Sequence, residues 1–505
     1  MSQPGAGSMI AGMDCCRRVK GIGARNGRSR RLGLISTFAL AFAAGARADV
    51  ADDLPVVGDA SSRLISPQME RQLGENFLKQ VHAALPTVED PILKYYAQRQ
   101  LAGIVQYSEL SEPILATVLI DSEDINAFAA PGGIVGINLG LMLHARDVHE
   151  YSSVVAHELA HLSQRHFARG IEEQRAQTLP MLAGMIAAIM IGALGGGDAG
   201  MAAVSGVQAA SQANQLRYSR GREQEADRIG LNTLARANLD PWGMSRMFDR
   251  MDRAYRFTRR PPEFLLTHPL TETRIADART QAMQYPRKQF PESLEYQAMR
   301  ARARVRFADS PKAAVIEFEK EVKDHPDSLG ARYGLSVALA AAERFEEAIP
   351  FIDQVYTDNP HNILFIGSLA ELLTRAGRID QAIGLLEREL AVNPQNAPLS
   401  MLYADALAAN RQYVAAEAVL QQQSFVNRAD VDVWYDLAEV SGLAGNIIGV
   451  HLARAEFFEL HGAYQRTIQH LQYARRLASD RNQPLTARLD QRINDIRNKM
   501  REERS

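Results

Sequence analysis

Cysteine is nearly absent from this 505-residue chain. The two it has, Cys15 and Cys16, stand side by side near the amino terminus. No disulfide framework can be built beyond them, and no thiolate is left there as metal ligand or nucleophile. An excess of one charge is also missing: 57 basic residues face 59 acidic ones, a net charge of −2. No basic tract lies beyond residue 48, so no nucleic-acid partner is expected. Long apolar runs are missing too. Residues 32–44 and 179–194 are the most apolar stretches, and both fall short of the ~20 residues that span a bilayer.

The first of those stretches sets the compartment. Arg17, Arg18, Lys20, Arg25, Arg28, Arg30 and Arg31 precede it, and Ala46-Arg47-Ala48 follows as a small-x-small cleavage site. This layout predicts a secretory signal peptide over residues 1–48, with an uncleaved membrane anchor as the alternative. The cysteines precede the apolar run, unlike those of a lipoprotein anchor. Cleavage would leave 49 basic and 58 acidic residues, a net charge of −9.

What the chain does contain is His157-Glu158-Leu159-Ala160-His161. Residues four apart share one helical face, so both imidazoles can reach one zinc ion while Glu158 meets a water on the open coordination position. Val154, Val155, Leu159 and Leu162 recur at helical spacing and predict a buried helix around the motif. A third protein ligand is needed. In Arg222-Glu223-Gln224-Glu225-Ala226-Asp227, Glu223 and Asp227 again share a face. One carboxylate could bind metal and the other could hold the outer N–H of a ligand imidazole, whereas spacing alone is equally met by a solvated charged helix.

His-Glu-x-x-His followed by Glu-x-x-Ala-Asp resembles the gluzincin peptidase family that includes the HtpX, Oma and CAAX-prenyl proteases. Two further blocks match in the family's order: Asn126-Ala127-Phe128-Ala129-Ala130-Pro131-Gly132-Gly133 upstream, and His268-Pro269-Leu270-Thr271-Glu272-Thr273-Arg274-Ile275 downstream. The resemblance covers residues 65 to 285. It implies that His157, His161 and Glu223 bind one Zn2+, that Glu158 is the general base, and that Asp227 supports a ligand from behind. It also implies that His268 can occupy zinc's fourth position and keep the enzyme latent; the other reading leaves His268 off the metal, hydrogen-bonded to substrate. Arg274 has two readings, an oxyanion contact or a loop anchor through a carboxylate. Pro131-Gly132-Gly133 reads as a turn and Ile134 to Ile137 as a short strand, with an exposed strand edge by the zinc offered to a substrate backbone.

Beyond the linker at residues 284–291 the chain becomes periodic. Pro326, Pro360 and Pro394 are 34 apart, as are Ala314, Ala348, Ala382 and Ala416. This resembles the tetratricopeptide repeat: helix pairs with a small residue at the close approach and proline after the second helix. The repetition loosens after the third unit; a degenerate pair is read from His461 and a polar capping helix from Arg488 to Arg501. Such a solenoid presents a concave surface that binds polypeptide, or serves as a spacer.

The reading is therefore an α+β chain. A signal peptide (1–48) precedes a mostly helical zincin-type metalloprotease domain (49–285) and an all-α repeat solenoid (292–505). The apolar segment 179–194 reads as a helix that covers the site or touches a membrane surface, or as a core helix. The combination resembles periplasmic members of the family. That likeness implies unfolded outer-membrane proteins as substrates, with the barrel-assembly and lipopolysaccharide-transport machinery as partners. A chaperone or adaptor with a closed zinc site is the alternative.

Overall fold

Small and β-branched residues at Ala116–Ile120 (β1), Ala127–Ala130 (β2) and Ile134–Asn138 (β3) form the one sheet seen in a computed structural model that describes residues 65–173, 220–256, 262–478 and 482–502. The signal peptide read at 1–48 and the apolar segment at 179–194 lie outside the described residues. Strand order is β1-β3-β2, with β1 parallel and β2 antiparallel to β3. The β2–β3 turn depends on Gly132 and Gly133, at φ 77° and 80°, a region closed to most side chains.

This topology corrects one expectation. Ile134–Ile137 lies in the central strand, fully buried, and offers no edge. The outer strands are β1 and β2, and on β2 the Ala129 N–H is turned to the Glu158 carboxylate.

Helices α1 (Pro67–Ala84), α2 (Pro91–Val105), α3 (Leu139–His144), α4 (Val148–Ser163) and α5 (His166–Glu173) surround the sheet, followed by α6 (Arg220–Arg236), α7 (Trp242–Arg256), α8 (Glu263–Thr267) and α9 (Glu272–Ala282). Helix α4 starts at Asp147, whose carboxylate accepts from the His149 and Glu150 N–H groups at 2.9 and 2.8 Å, a cap worth about 1 kcal/mol. It is buried on all sides from Val148 to His161 and is not amphipathic. Six helix pairs complete the chain: α10 (Leu294–Arg306) and α11 (Pro311–Asp324), α12 (Leu329–Ala341) and α13 (Phe345–Asp358), α14 (Ile363–Arg375) and α15 (Ile379–Val392), α16 (Ala397–Ala409) and α17 (Tyr413–Val426), α18 (Val431–Leu443) and α19 (Ile447–Leu460), α20 (Tyr464–Ala478) and α21 (Gln483–Glu502). Ala314, Ala348, Ala382 and Ala416 are buried in the second helices of the first four pairs. The last helix is amphipathic, not merely polar, since Leu489, Ile493 and Ile496 pack on α20.

The repeats do not stand apart from the peptidase region. One apolar core runs from Val88 through Tyr151 to Ala406. Helix α2 lies across the first helices α14 and α16, filling part of the solenoid's inner face. Charged groups fix it there. Asp90 caps α2 through the Ile92 and Leu93 N–H groups and also takes Arg302 Nη1 at 2.7 Å. Arg302 is buried; it also meets Glu371 and donates to the Tyr333 hydroxyl at 2.8 Å. Lys94 joins Asp430 and Asp432 at 2.8 and 2.7 Å.

A second seam joins α1 to the α19–α20 turn. Lys79 Nζ donates to Tyr464 Oη at 2.8 Å, and His82 Nδ1 donates to the Leu460 carbonyl at 3.2 Å. Burial, with Lys94 and His461 adding to it against Leu460 and Asp430, pulls His82 down to about 4. The unfolded chain protonates His82 near its ordinary 6.5 and the folded chain does not. Stability from this site is therefore complete above pH 6.5 and declines as pH falls toward 4. In thermal unfolding at pH 7.5 and pH 5, His82→Gln should lose less melting temperature on acidification than the parent; an equal loss would contradict this account of the seam.

Candidate metal centre

The two histidines of the motif lie one turn apart on α4, 2% and 3% exposed. Their Nε2 atoms are 3.0 Å apart. Glu223 comes from α6, which crosses α4 closely because residue 230 is glycine: a Cβ there would lie 3.1 Å from the His157 nitrogen and 3.2 Å from the Ala156 oxygen. That approach puts Glu223 oxygens 3.5 Å from His157 Nε2 and 3.6 Å from His161 Nε2. Asp227, one turn on, sits 2.9 Å from His157 Nδ1.

His268 follows α8 and joins the same cluster. Its Nδ1 is 3.4 Å from His157 Nε2 and 3.2 Å from Glu223 Oε1. Phe264, one turn back, stacks on its ring at 4.6 Å, and the Phe264 N–H donates to the Ile125 carbonyl just before β2. Among the described residues, one donor atom each from His157, His161, Glu223 and His268 lie within 4.8 Å of one another, all buried.

This donor set fits a divalent cation. The Nδ1 atoms of His157 and His161 face Asp227 and His166, at 2.9 and 2.8 Å. If the outer nitrogens carry the ring hydrogens, both Nε2 lone pairs point inward at each other and at a carboxylate, an arrangement that a shared cation reconciles. The charge balance agrees. Burial opposes protonation of His157, yet Asp227 and Glu223 outweigh it and push the ring up to about 9. Glu223 is held well below the carboxylate range: burial acts against this, but His268, His157 and His161 prevail. Three imidazoles and a carboxylate are a borderline-soft N/O set, the kind zinc takes.

Glu158 lies beside this set, 1% exposed, with Oε1 3.5 Å from His268 Nε2. It accepts the Ala129 N–H, and burial raises its pKa against the pull of His268 and His157. Arg274, on α9, is buried and engaged on every side. Nε and Nη2 reach Asp227 at 2.7 Å each, and Nη1 reaches Glu223 at 2.8 Å and the Pro269 carbonyl at 2.9 Å. Those contacts hold the guanidinium against Asp227, Glu223 and the Pro269 carbonyl. A groove of about 400 Å³ opens beside His161, walled by Ala129, Ala130 and the Pro131-Gly132-Gly133 turn.

Sequence reasoning thus named seven residues that the fold brings together: His157, Glu158, His161, Glu223, Asp227, His268 and Arg274. It passed over Phe264, His166 and Glu225. Phe264 gave no signal beyond its place four residues before His268. His166 and Glu225 were visible as a histidine five residues past His161 and a carboxylate two past Glu223, both inside blocks already quoted or adjoining.

Comparison with known proteins agrees with this geometry. Residues 92–282 match peptidase family M48, and residues 298–363, 339–388 and 373–440 match tetratricopeptide repeats. A putative beta-barrel assembly-enhancing protease of Vibrio cholerae serotype O1 is 35% identical over 448 residues, covering 88% of this chain and 92% of that protein. The beta-barrel assembly-enhancing protease of Escherichia coli K12 is 29% identical over 463 residues, covering 91% and 95%. Human mitochondrial metalloendopeptidase OMA1 is 32% identical over a shorter 161 residues, 31% of this chain and 30% of that one. Fold and site together define a metalloprotease. The chain belongs to peptidase family M48, with its peptidase domain followed by tetratricopeptide repeats.

Proposed function

We propose that this metalloprotease is a periplasmic zinc endopeptidase that degrades misfolded or stalled outer-membrane proteins and assists their assembly. The observation that carries the chemistry is the convergence of His157, His161, Glu223 and His268 on one buried point beside Glu158; the substrate class rests on the names of relatives that match nearly end to end. His157, His161 and Glu223 would hold a zinc ion, which when bound would supply Lewis acidity for the scissile carbonyl and lower the pKa of water there. Glu158, buried and biased toward holding a proton, takes one from that water and passes it to the leaving amine nitrogen. An extended substrate lies in the groove by β2, its backbone along Ala129 and Ala130. Asp227 orients His157, and Arg274 fixes Asp227 and Glu223 as a positioning residue. Unfolded chain is gathered by the repeats, and the cleft of about 550 Å³ between β1 and Met401, Phe425 and Val426 is the surface suited to it. The barrel-assembly and lipopolysaccharide-transport machinery are the proposed partners.

His268 favours a second, related reading. Four protein donors close a zinc site, and catalysis needs one position open. Resting latency follows, and with it an adaptor role in which the repeats bind substrate while the site stays shut. The two readings separate on purified protein. A protease cuts unfolded β-barrel protein and stops with chelator; an adaptor binds it equally with chelator and never cuts. His268→Ala is expected to raise cleavage severalfold while zinc stays bound through the other three donors. Cleavage no faster than the parent's would remove the switch.

A further inference from the structure

Each zinc-facing imidazole needs its outer nitrogen held. For His157 the holder is Asp227. For His161 the neighbour is of a different kind. His161 Nδ1 is instead 2.8 Å from Nδ1 of a second histidine, His166, which is fully buried. The other nitrogen of His166 is 3.2 Å from Glu225 Oε2, and Glu225 is in turn bound by Arg169 Nη1 at 3.2 and 3.3 Å. We propose that His166 and Glu225 form a relay that orients His161 for the metal, making His166 a positioning residue of the centre. This deepens the zinc reading and rests on it, since it takes His161 as a ligand through Nε2.

The proton arrangement admits one consistent solution. A ring that binds metal through Nε2 carries its hydrogen on Nδ1. His161 therefore donates, so His166 Nδ1 must accept. A neutral His166 then carries its hydrogen on Nε2 and gives it to Glu225, whose carboxylate only accepts. Every atom in the chain has one role, and reversing any link leaves two hydrogens or two lone pairs face to face. Glu225 also sits two residues from Glu223 and from Asp227 on α6, so this one helix supplies a ligand and the anchors behind both histidines.

The backbone is bent to reach this geometry. Between α4 and α5, Arg165 has φ 48°, a left-handed conformation that is unfavourable for a non-glycine residue. It turns the chain back so that His166 lies under His161. Arg165 is held there by the Ile65 carbonyl at 2.9 Å and Glu70 at 3.2 Å. Both contacts are made by Nη2 and come from the start of α1, tying this turn to that helix while the turn presents His166.

The test reads zinc affinity, not activity. Full-length protein is stripped of metal and titrated with zinc against a competing chelator, and the Co2+-loaded form is examined by visible absorption. His166→Phe keeps a flat aromatic ring, somewhat larger, and removes both nitrogens; it should weaken zinc binding by about 10- to 100-fold and alter the cobalt spectrum. His166→Gln, which can still accept and donate, should recover part of the loss. Glu225→Ala, at a half-exposed position where folding is little affected, should weaken binding severalfold. Parental affinity in both His166→Phe and Glu225→Ala would overturn the relay, and if His166→Phe does not fold, parental affinity in Glu225→Ala alone does so. Failure of the parent to bind zinc would instead sink the metal-site reading beneath it, so the two failures are distinguishable.

Discussion

Glu158→Gln should retain the metal and lose roughly a thousandfold or more of proteolytic rate, within the range a positioned general base contributes and about 4 kcal/mol of barrier. The amide keeps the shape of the side chain and can still accept the Ala129 N–H. It cannot take a proton from water. The donors that hold the ion are other residues, so metal content should match the parent. Burial raises this carboxylate above the ordinary range, a direction that suits the base role proposed for it. Glu158→Asp should be intermediate, because it keeps the chemistry and withdraws the oxygen by one methylene. Turnover close to the parental rate in metal-loaded Glu158→Gln would remove Glu158 from the reaction.

The second large effect is on stability, at Arg302→Leu. Arg302 is 4% exposed and bridges Asp90 and Glu371 while donating to Tyr333. Removing it leaves two carboxylates facing each other across the joint between α2 and the repeats with no cation between them. Breaking a buried ion pair on one side costs about 3–5 kcal/mol. Both partners keep some solvent contact, side chains 18% and 26% exposed, so the low end, about 3 kcal/mol, is expected as a drop in the denaturant midpoint. Adding Glu371→Leu should recover much of this, since an apolar replacement no longer strands a charge. A single variant as stable as the parent would show that this network does not hold α2 on the repeats.

Much of this was legible because it is periodic or chemically specific. The 34-residue spacing of alanines marked the close approaches inside the helix pairs. The same spacing lay unused in the residues that start the first helices: Ser328, Asn362, Asn396 and Asp430 each cap one through a side-chain oxygen. The candidate donors were readable because His157 and His161, like Glu223 and Asp227, are four apart, and helices turn that spacing into a shared face. Strand order was not readable. Ile134–Ile137 read as a short strand with an exposed edge, but β1 pairs with it in parallel from 18 residues upstream, Ala116 opposite Ile134. Nor was the filling of the solenoid's inner face by α2, since Asp90 and Arg302 are more than two hundred residues apart. Arg274 had two roles open in sequence, and its contacts with Asp227 and Glu223, 47 and 51 positions away, could not be read there.

The most direct measurement is anomalous diffraction at the zinc edge on crystals of the metal-loaded parent. One strong peak should appear bounded by His157 Nε2, His161 Nε2 and the Glu223 carboxylate. No peak there, or a peak at another cluster of donors, would contradict the account of the centre and the chemistry built on it.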